Sequence, residues 1–156
     1  MLIGVKDNGA IAGVRGEEEK FMAESAADLY CKPRVAYTSK EWTINDKVVL
    51  EIIIPRGEAG PYYAKNDEDQ WRIYIRVNDQ NILANRILTK ALRRKGSPSG
   101  TYITYTEHEK VLLEYLEHNE SITFSAFQKL AGISPYQAEV ILVNLLALDI
   151  LEAGIT

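Results

Sequence analysis

Hydrophobic and polar residues change their spacing along this chain in a way that predicts a strand-rich first part and a helical last part. Apolar residues 2–5 and 11–14 flank Asp7-Asn8-Gly9, and Asn-Gly supplies the positive φ of a tight turn, so the chain is predicted to open on a hairpin. Residues 16–30 predict a helix with Glu17, Glu18 and Glu19 in its first turn, where the helix dipole favours acid, and an inward stripe of Phe21, Met22, Ser25, Ala26 and Leu29. Pro33 ends it. Residues 34–39, 41–44 and 47–54 predict strands, with Asn45-Asp46 as the turn that pairs Trp42-Thr43-Ile44 with Val48-Val49-Leu50. Residues 57–61 read as loop, and Tyr62-Tyr63-Ala64 as a brief strand. Residues 71–77 alternate, with Trp71, Ile73, Ile75 and Val77 on one face and Arg72, Tyr74 and Arg76 on the other.

From there the apolar period lengthens. Residues 82–94 fit a helix with Ile82, Leu83, Ile87, Leu88 and Leu92 inward and Lys90, Arg93, Arg94 and Lys95 at its end. Gly96-Ser97-Pro98-Ser99-Gly100 has no apolar anchor and reads as a linker. The division expected is therefore an α/β domain over 1–95, a linker over 96–101 and a winged-helix-like domain over 102–156. In the last part Thr106 and Glu109 have capping-box spacing before a helix reaching His118, with Val111, Leu112, Tyr115 and Leu116 buried. A short helix from Thr123 or Ser125 to Ala131 breaks at Gly132-Ile133, and Ser134-Pro135 starts a longer helix to Leu148. Ile150-Leu151-Glu152 is expected to open a β-hairpin. Helix, short helix, glycine turn, longer helix and strand is the order of a winged helix-turn-helix. The fold class expected is α+β, a mixed, largely antiparallel sheet with helices followed by that motif.

Charge complicates a nucleic-acid reading. The formal net charge is −4, yet residues 1–100 hold sixteen Lys or Arg against fourteen Asp or Glu, whereas residues 101–156 hold Lys110 and Lys129 against eight carboxylates. Phosphate is repelled by such a tail. The helix after Ser134 has no basic residue, leaving Ser134, Tyr136, Gln137 and Asn144 as candidates for base edges and Lys129 for a phosphate. Seven strongly apolar residues in the thirteen from Tyr136 to Leu148 also exceed one buried stripe, so part of this helix is expected to pack on a partner, on the chain's own first domain or on a second subunit. The run Arg86, Lys90, Arg93, Arg94 and Lys95 is the strongest electropositive candidate, suited to phosphates rather than to base discrimination.

Composition removes several chemistries. With 46% apolar and 26% charged residues in 156, the chain has a globular balance, and no apolar run approaches the ~18 residues of a membrane span. A cytoplasmic location without membrane contact is expected. Cys31 is the only cysteine, read as a buried apolar thiol, and His108 and His118 lack metal-binding spacing and read as solvated helix positions, so no metal site is expected. There is no phosphate-binding loop, and hence no ATP and no other cofactor is expected. Asp7 is the one candidate catalytic carboxylate, and turn formation alone accounts for it. Hydrolysis needs converging carboxylates, and no partner for Asp7 has suitable spacing.

The segments Leu2-Ile3-Gly4-Val5-Lys6-Asp7-Asn8-Gly9 and Ile11-Ala12-Gly13-Val14, then Ile52-Ile53-Ile54-Pro55 with Gly60-Pro61-Tyr62-Tyr63, then Tyr74-Ile75-Arg76-Val77, resemble the Schlafen/AlbA_2 domain over roughly residues 1–85. That resemblance implies a bacterial transcriptional-regulator-like protein with the domain ahead of a winged helix. Relatives generally carry a further strand, Glu-x-x-x-x-Glu-x-Lys, and a helix before the Gly-Val-x-Asp segment, so the domain is expected to be incomplete here. In nuclease-active relatives acidic residues of that strand work with an aspartate matching Asp7 in metal-dependent RNA cleavage. Asn78 stands where relatives have glycine. Three readings result. The first is a non-enzymatic regulator binding double-stranded DNA or RNA and self-associating. The second is a metal-dependent RNA nuclease, should upstream carboxylates exist. The third is a dimerisation or protein-interaction module that binds no DNA.

Overall fold

The computed structural model describes residues 1–57, 60–78, 80–97 and 100–154. Pro98 and Ser99 of the linker, Glu58 and Ala59 of the loop before Pro61, and the last two residues of the hairpin expected at the C-terminus lie outside the described residues. The chain forms two compact units, Met1–Tyr74 and Ile75–Thr156. The α+β class expected from the sequence is present: five helices and three small sheets among the described residues.

In the first unit β1 (Leu2–Ile3), β3 (Thr38–Ile44) and β4 (Lys47–Ile53) form one antiparallel sheet in the order β1-β4-β3. The β3–β4 hairpin has the expected turn: Asn45 and Asp46 both take positive φ, 52° and 58°, as a two-residue loop matched to strand twist requires. Trp42 lies opposite Val49 and Ile44 opposite Lys47. Val49, Leu50 and Ile52 of β4 are buried. A second sheet joins β2 (Cys31–Lys32), β5 (Tyr63–Lys65) and β6 (Trp71–Arg72) in the order β2-β5-β6.

Three local expectations change. The opening hairpin survives only as a Val5–Ile11 bridge, with Lys6 N–H donating to Ala10 O at 2.9 Å, because β1 is taken up by β4. Ala12 and Gly13 N–H both donate to Gly4 O, and Val14 N–H then reaches Val48 O at 2.7 Å. Secondly, α1 (Glu18–Leu29) turns its small face inward. Lys20 pairs with Glu41 of β3, Ala27 is buried, and Phe21, Met22 and Leu29 are 68, 68 and 65% exposed. Positions 20, 23 and 27 share a helical stripe, so the ion pair and two alanines outcompete the larger apolar stripe for the sheet. Thirdly, the two strands expected over 34–44 are one, beginning at Thr38.

The alternating segment 71–77 keeps its alternation but breaks at the buried Ile73, since β6 pairs with β5 while β7 (Tyr74–Val77) pairs with β8 (Gln80–Leu83). Ile82 and Leu83 are consequently strand residues. The helix α2 (Arg86–Lys95) starts three residues after Leu83, where the Asn85 side chain accepts from Leu88 N–H.

The second unit has its core among α3 (Glu107–His118), α4 (Phe124–Ala131) and α5 (Pro135–Ala147), built on Leu112, Phe127, Ala138, Ile141 and Leu145. Each start has its expected cap. Thr106 and Glu109 form a capping box, Thr123 caps α4, and Ser134 with Gln137 forms a second capping box under Pro135. Gly132 at φ 63° closes α4, and α5 leaves it at a bend of 113° after a three-residue turn. Ile150-Leu151-Glu152 form no strand among the described residues, and Leu151 instead packs on the helical core. No single helix among the described residues is long and apolar enough to cross a membrane.

Candidate nucleic-acid interface

The second unit holds the residues with nucleic-acid potential, and several of them are engaged within it, by one another or by carboxylates. α5 buries two faces: Ala138, Ile141 and Leu145 meet α3 and α4, while Val143 and Ala147 are also buried. Beside them lies α2. Lys90 forms an ion pair with Glu139, Arg86 reaches the same carboxylate at 3.4 Å, Arg94 donates to Asn144 Oδ1, and Lys95 pairs with Asp149. The partner expected for the second apolar stripe of α5 is therefore this helix of the same chain.

Electrostatics explains the match. The basic end of α2 and the acidic segment around α5 are complementary, so much of the charge asymmetry along the chain is internal. The ammonium of Lys90, helped by Arg86, holds the Glu139 carboxyl below its ordinary value, because the hydrogen bond and the cations favour the charged form over partial burial. A carboxyl lowered on folding contributes stability above the unfolded-state value, and that contribution is lost as pH falls through the folded value. Acidification below the ordinary glutamate range is thus expected to loosen α2 from α5. Amide protection factors in α2, which correct exchange rates for their intrinsic pH dependence, should fall more in wild type than in Glu139→Gln as pH is lowered, because the variant lacks the titrating group.

The start of α5 is also committed. Ser134 N–H and Oγ–H donate to Gln137 Oε1 at 3.1 and 2.9 Å, and Gln137 N–H donates to Ser134 Oγ at 3.3 Å. Asn144 is held by Arg94. Tyr136, 75% exposed, and Val140 provide outward surface, and Lys129 is exposed at the end of α4. Past its first turn α5 thus offers little to a major groove.

Lys90, Arg93 and Arg94 line one cleft of about 490 Å³ together with Ser97, Gly100 and Val143. The sequence marked Ser97 and Gly100 only as linker residues and Val143 only as part of an apolar helix; the closeness of Ser97 to the basic run, two positions after Lys95, was the one hint of a shared site. Of the five cations of α2, Arg86 and Lys90 meet the carboxylate of Glu139 and Lys95 meets that of Asp149, while Arg94 bonds to the neutral amide of Asn144.

Asp7 occupies the exposed turn in which Gly9 N–H donates to Lys6 O at 2.8 Å and Ala10 N–H to Asn8 Oδ1 at 3.0 Å. Among the described residues no group of three or more His, Cys, Asp or Glu side chains is placed to hold a metal ion. Cys31 is half-buried, and burial pushes its thiol pKa up, away from a reactive thiolate. His118 Nδ1 lies 3.1 Å from Glu114 O, an ordinary exposed helix contact.

No curated protein and no solved structure matches the chain. A family model does: that described as Schlafen, AlbA_2 matches residues 1–85. It takes in the whole β1-β4-β3 hairpin sheet, the Gly4–Gly13 crossing and the Asp7 turn, and over this more-than-half of its length the chain belongs to the Schlafen, AlbA_2 family.

Proposed function

We propose that this protein is a non-enzymatic, regulator-like nucleic-acid-binding protein that self-associates and grips the phosphate backbone through α2 rather than reading bases through α5. The observation that carries this reading is the cleft lined by Lys90, Arg93 and Arg94. Arg93 and Arg94, the latter bonded to a neutral amide, with Lys90 shared with Glu139, put positive charge on one concavity, which attracts phosphate oxygens without discriminating sequence. The α4–α5 pair supports a helix-turn-helix ancestry, since a short glycine-containing turn between helices crossing at 90–120° is the geometry of that motif, and here the bend is 113°. Its second helix is nonetheless a poor base reader, with Gln137 and Asn144 engaged internally.

Duplex DNA of random sequence should bind at low salt, with log affinity falling against log salt by about 0.9 per phosphate contacted. Replacing Lys90, Arg93 and Arg94 together by glutamine is expected to reduce that slope by about 2–3, while Gln137→Ala leaves it unchanged. Filter binding across a salt series, with thermal melts to verify folding, measures both. A slope unchanged in the triple variant would sink the proposal.

A second reading, an interaction module that leaves nucleic acid alone, is favoured by the packing of α2 on α5 and by the exposed Phe21, Met22 and Leu29 on α1. Absence of any duplex binding at low salt selects it.

A further inference from the structure

The self-association read above leaves open which surface is used, and β3 supplies one. It is the outer strand of the β1-β4-β3 sheet, no other described strand pairs with its far edge, and all seven of its residues are exposed. The hairpin closes through a two-residue turn at Ile44 and Lys47, so Ile44, Trp42 and Lys40 turn their backbone groups toward β4. Ser39, Glu41 and Thr43 turn theirs outward. Such an edge is a template for another strand.

We propose that a second copy of this chain pairs with it, β3 to β3, about a two-fold axis at Trp42. An identical antiparallel strand related by a two-fold normal to the sheet brings residues of one face opposite residues of that same face, so the axis must fall on a residue. On Lys40 or Glu41 it would set like charges directly opposite, which is destabilising. On Ser39 or Thr43 the overlap shrinks to a fragment of the strand. On Trp42 no like charges meet: the two Trp42 residues lie opposite each other, Glu41 lies opposite the partner's Thr43, and Lys40 lies opposite the partner's Ile44. The outward groups of Glu41 and Thr43 then complete the ladder.

Trp42 is prepared for this role. Its Nε1–H donates to Glu51 Oε2 at 2.8 Å, and Lys40 Nζ sits 3.8 Å from its ring centroid, while the side chain remains 43% exposed. A large aromatic already held in one orientation loses little freedom on association. The charges at 40 and 41 act as register filters, and the joined sheet places both tryptophans at its centre.

The proposal rests on self-association, and the test separates the two. Light scattering of the full chain is expected to give a dimer, Trp42→Lys alone and Trp42→Glu alone are expected to be monomers, and an equimolar mixture of the two variants is expected to recover the dimer. Recovery follows only if position 42 meets its own copy. Wild-type chain that is monomeric overturns both the interface and the self-association. A Trp42→Lys variant that dimerises like wild type overturns the interface while self-association stands. A folded mixture that stays monomeric overturns the axis position and with it the proposal. Should either variant fail to fold, Thr43→Pro replaces it: proline is tolerated on an edge with its missing N–H outward, so a folded monomer supports the pairing and a dimer overturns it.

Discussion

Phe127→Ala will cost the helical unit about 3–5 kcal/mol, the range for truncating a large buried aromatic. The ring is 0% exposed and belongs to the same cluster as Leu112, Ala138, Ile141 and Leu145, so α3, α4 and α5 all lose contacts when it goes. Small domains have only about 5–15 kcal/mol of net stability, so the variant should sit near the edge of folding at ambient temperature. Leu130→Ala on the same helix is the control. Leu130 is 43% exposed, and its removal should shift the midpoint little. Urea titrations followed by helical circular dichroism will compare the two, and equal midpoints would contradict the assignment of Phe127 as the centre of this core.

Gly4→Ala is expected to have the next largest effect, and it acts on the first unit. Gly4 has φ 95°, and a Cβ there would meet Gly13 C at 2.9 Å and Val14 N at 3.1 Å. Backbone strain of this kind costs about 1–3 kcal/mol, and overpacking adds about 1–3 more. The obstacle is backbone and has little room to give, because Gly13 itself lies at φ 80° with Lys47 Cβ at 3.1 Å from its own Cβ position. Gly9→Ala separates the two costs. Gly9 has φ 80° with nothing within 4 Å, so alanine there pays for conformation alone. Chemical denaturation should rank Gly4→Ala well below Gly9→Ala. Similar losses would mean that the crossing of residues 4 and 13 relaxes freely.

Local chemistry in the sequence was sufficient for several elements and insufficient for others, and the boundary between them is physical. The β3–β4 turn was legible because Asn45-Asp46 is one of few pairs that accept positive φ twice. The starts of α3, α4 and α5 were legible because caps act over three residues. Periodicity, by contrast, says which residues share a face and not which face wins a contact. On α1 the stripe with the larger side chains lost to Lys20 and Ala27, since Glu41 lay within reach on a strand distant in sequence. Ile82 and Leu83 fitted a helical stripe equally well, and only the neighbouring β7 draws them into a strand.

The candidate site had the same difficulty. Lys90, Arg94 and Asn144 were each legible as polar groups able to meet nucleic acid, and the excess apolar surface of α5 was legible as needing cover. That these two facts answer one another depends on pairs 49 and 50 residues apart, for which the sequence gives no local signal. Asp7 was legible both as a turn former and as a lone carboxylate, and its surroundings are those of a turn.

Because α2 lies against α5, the glycine- and serine-rich stretch that follows it is a poor place to cut the chain. A recombinant piece starting at Tyr102 would strip the cover from Val143 and Leu146 and leave Glu139 and Asp149 without their cations. Such a product should be sticky and poorly soluble, whereas one starting at Ile75 keeps the helix with its acidic counterpart and gives the better material for separate biochemical work.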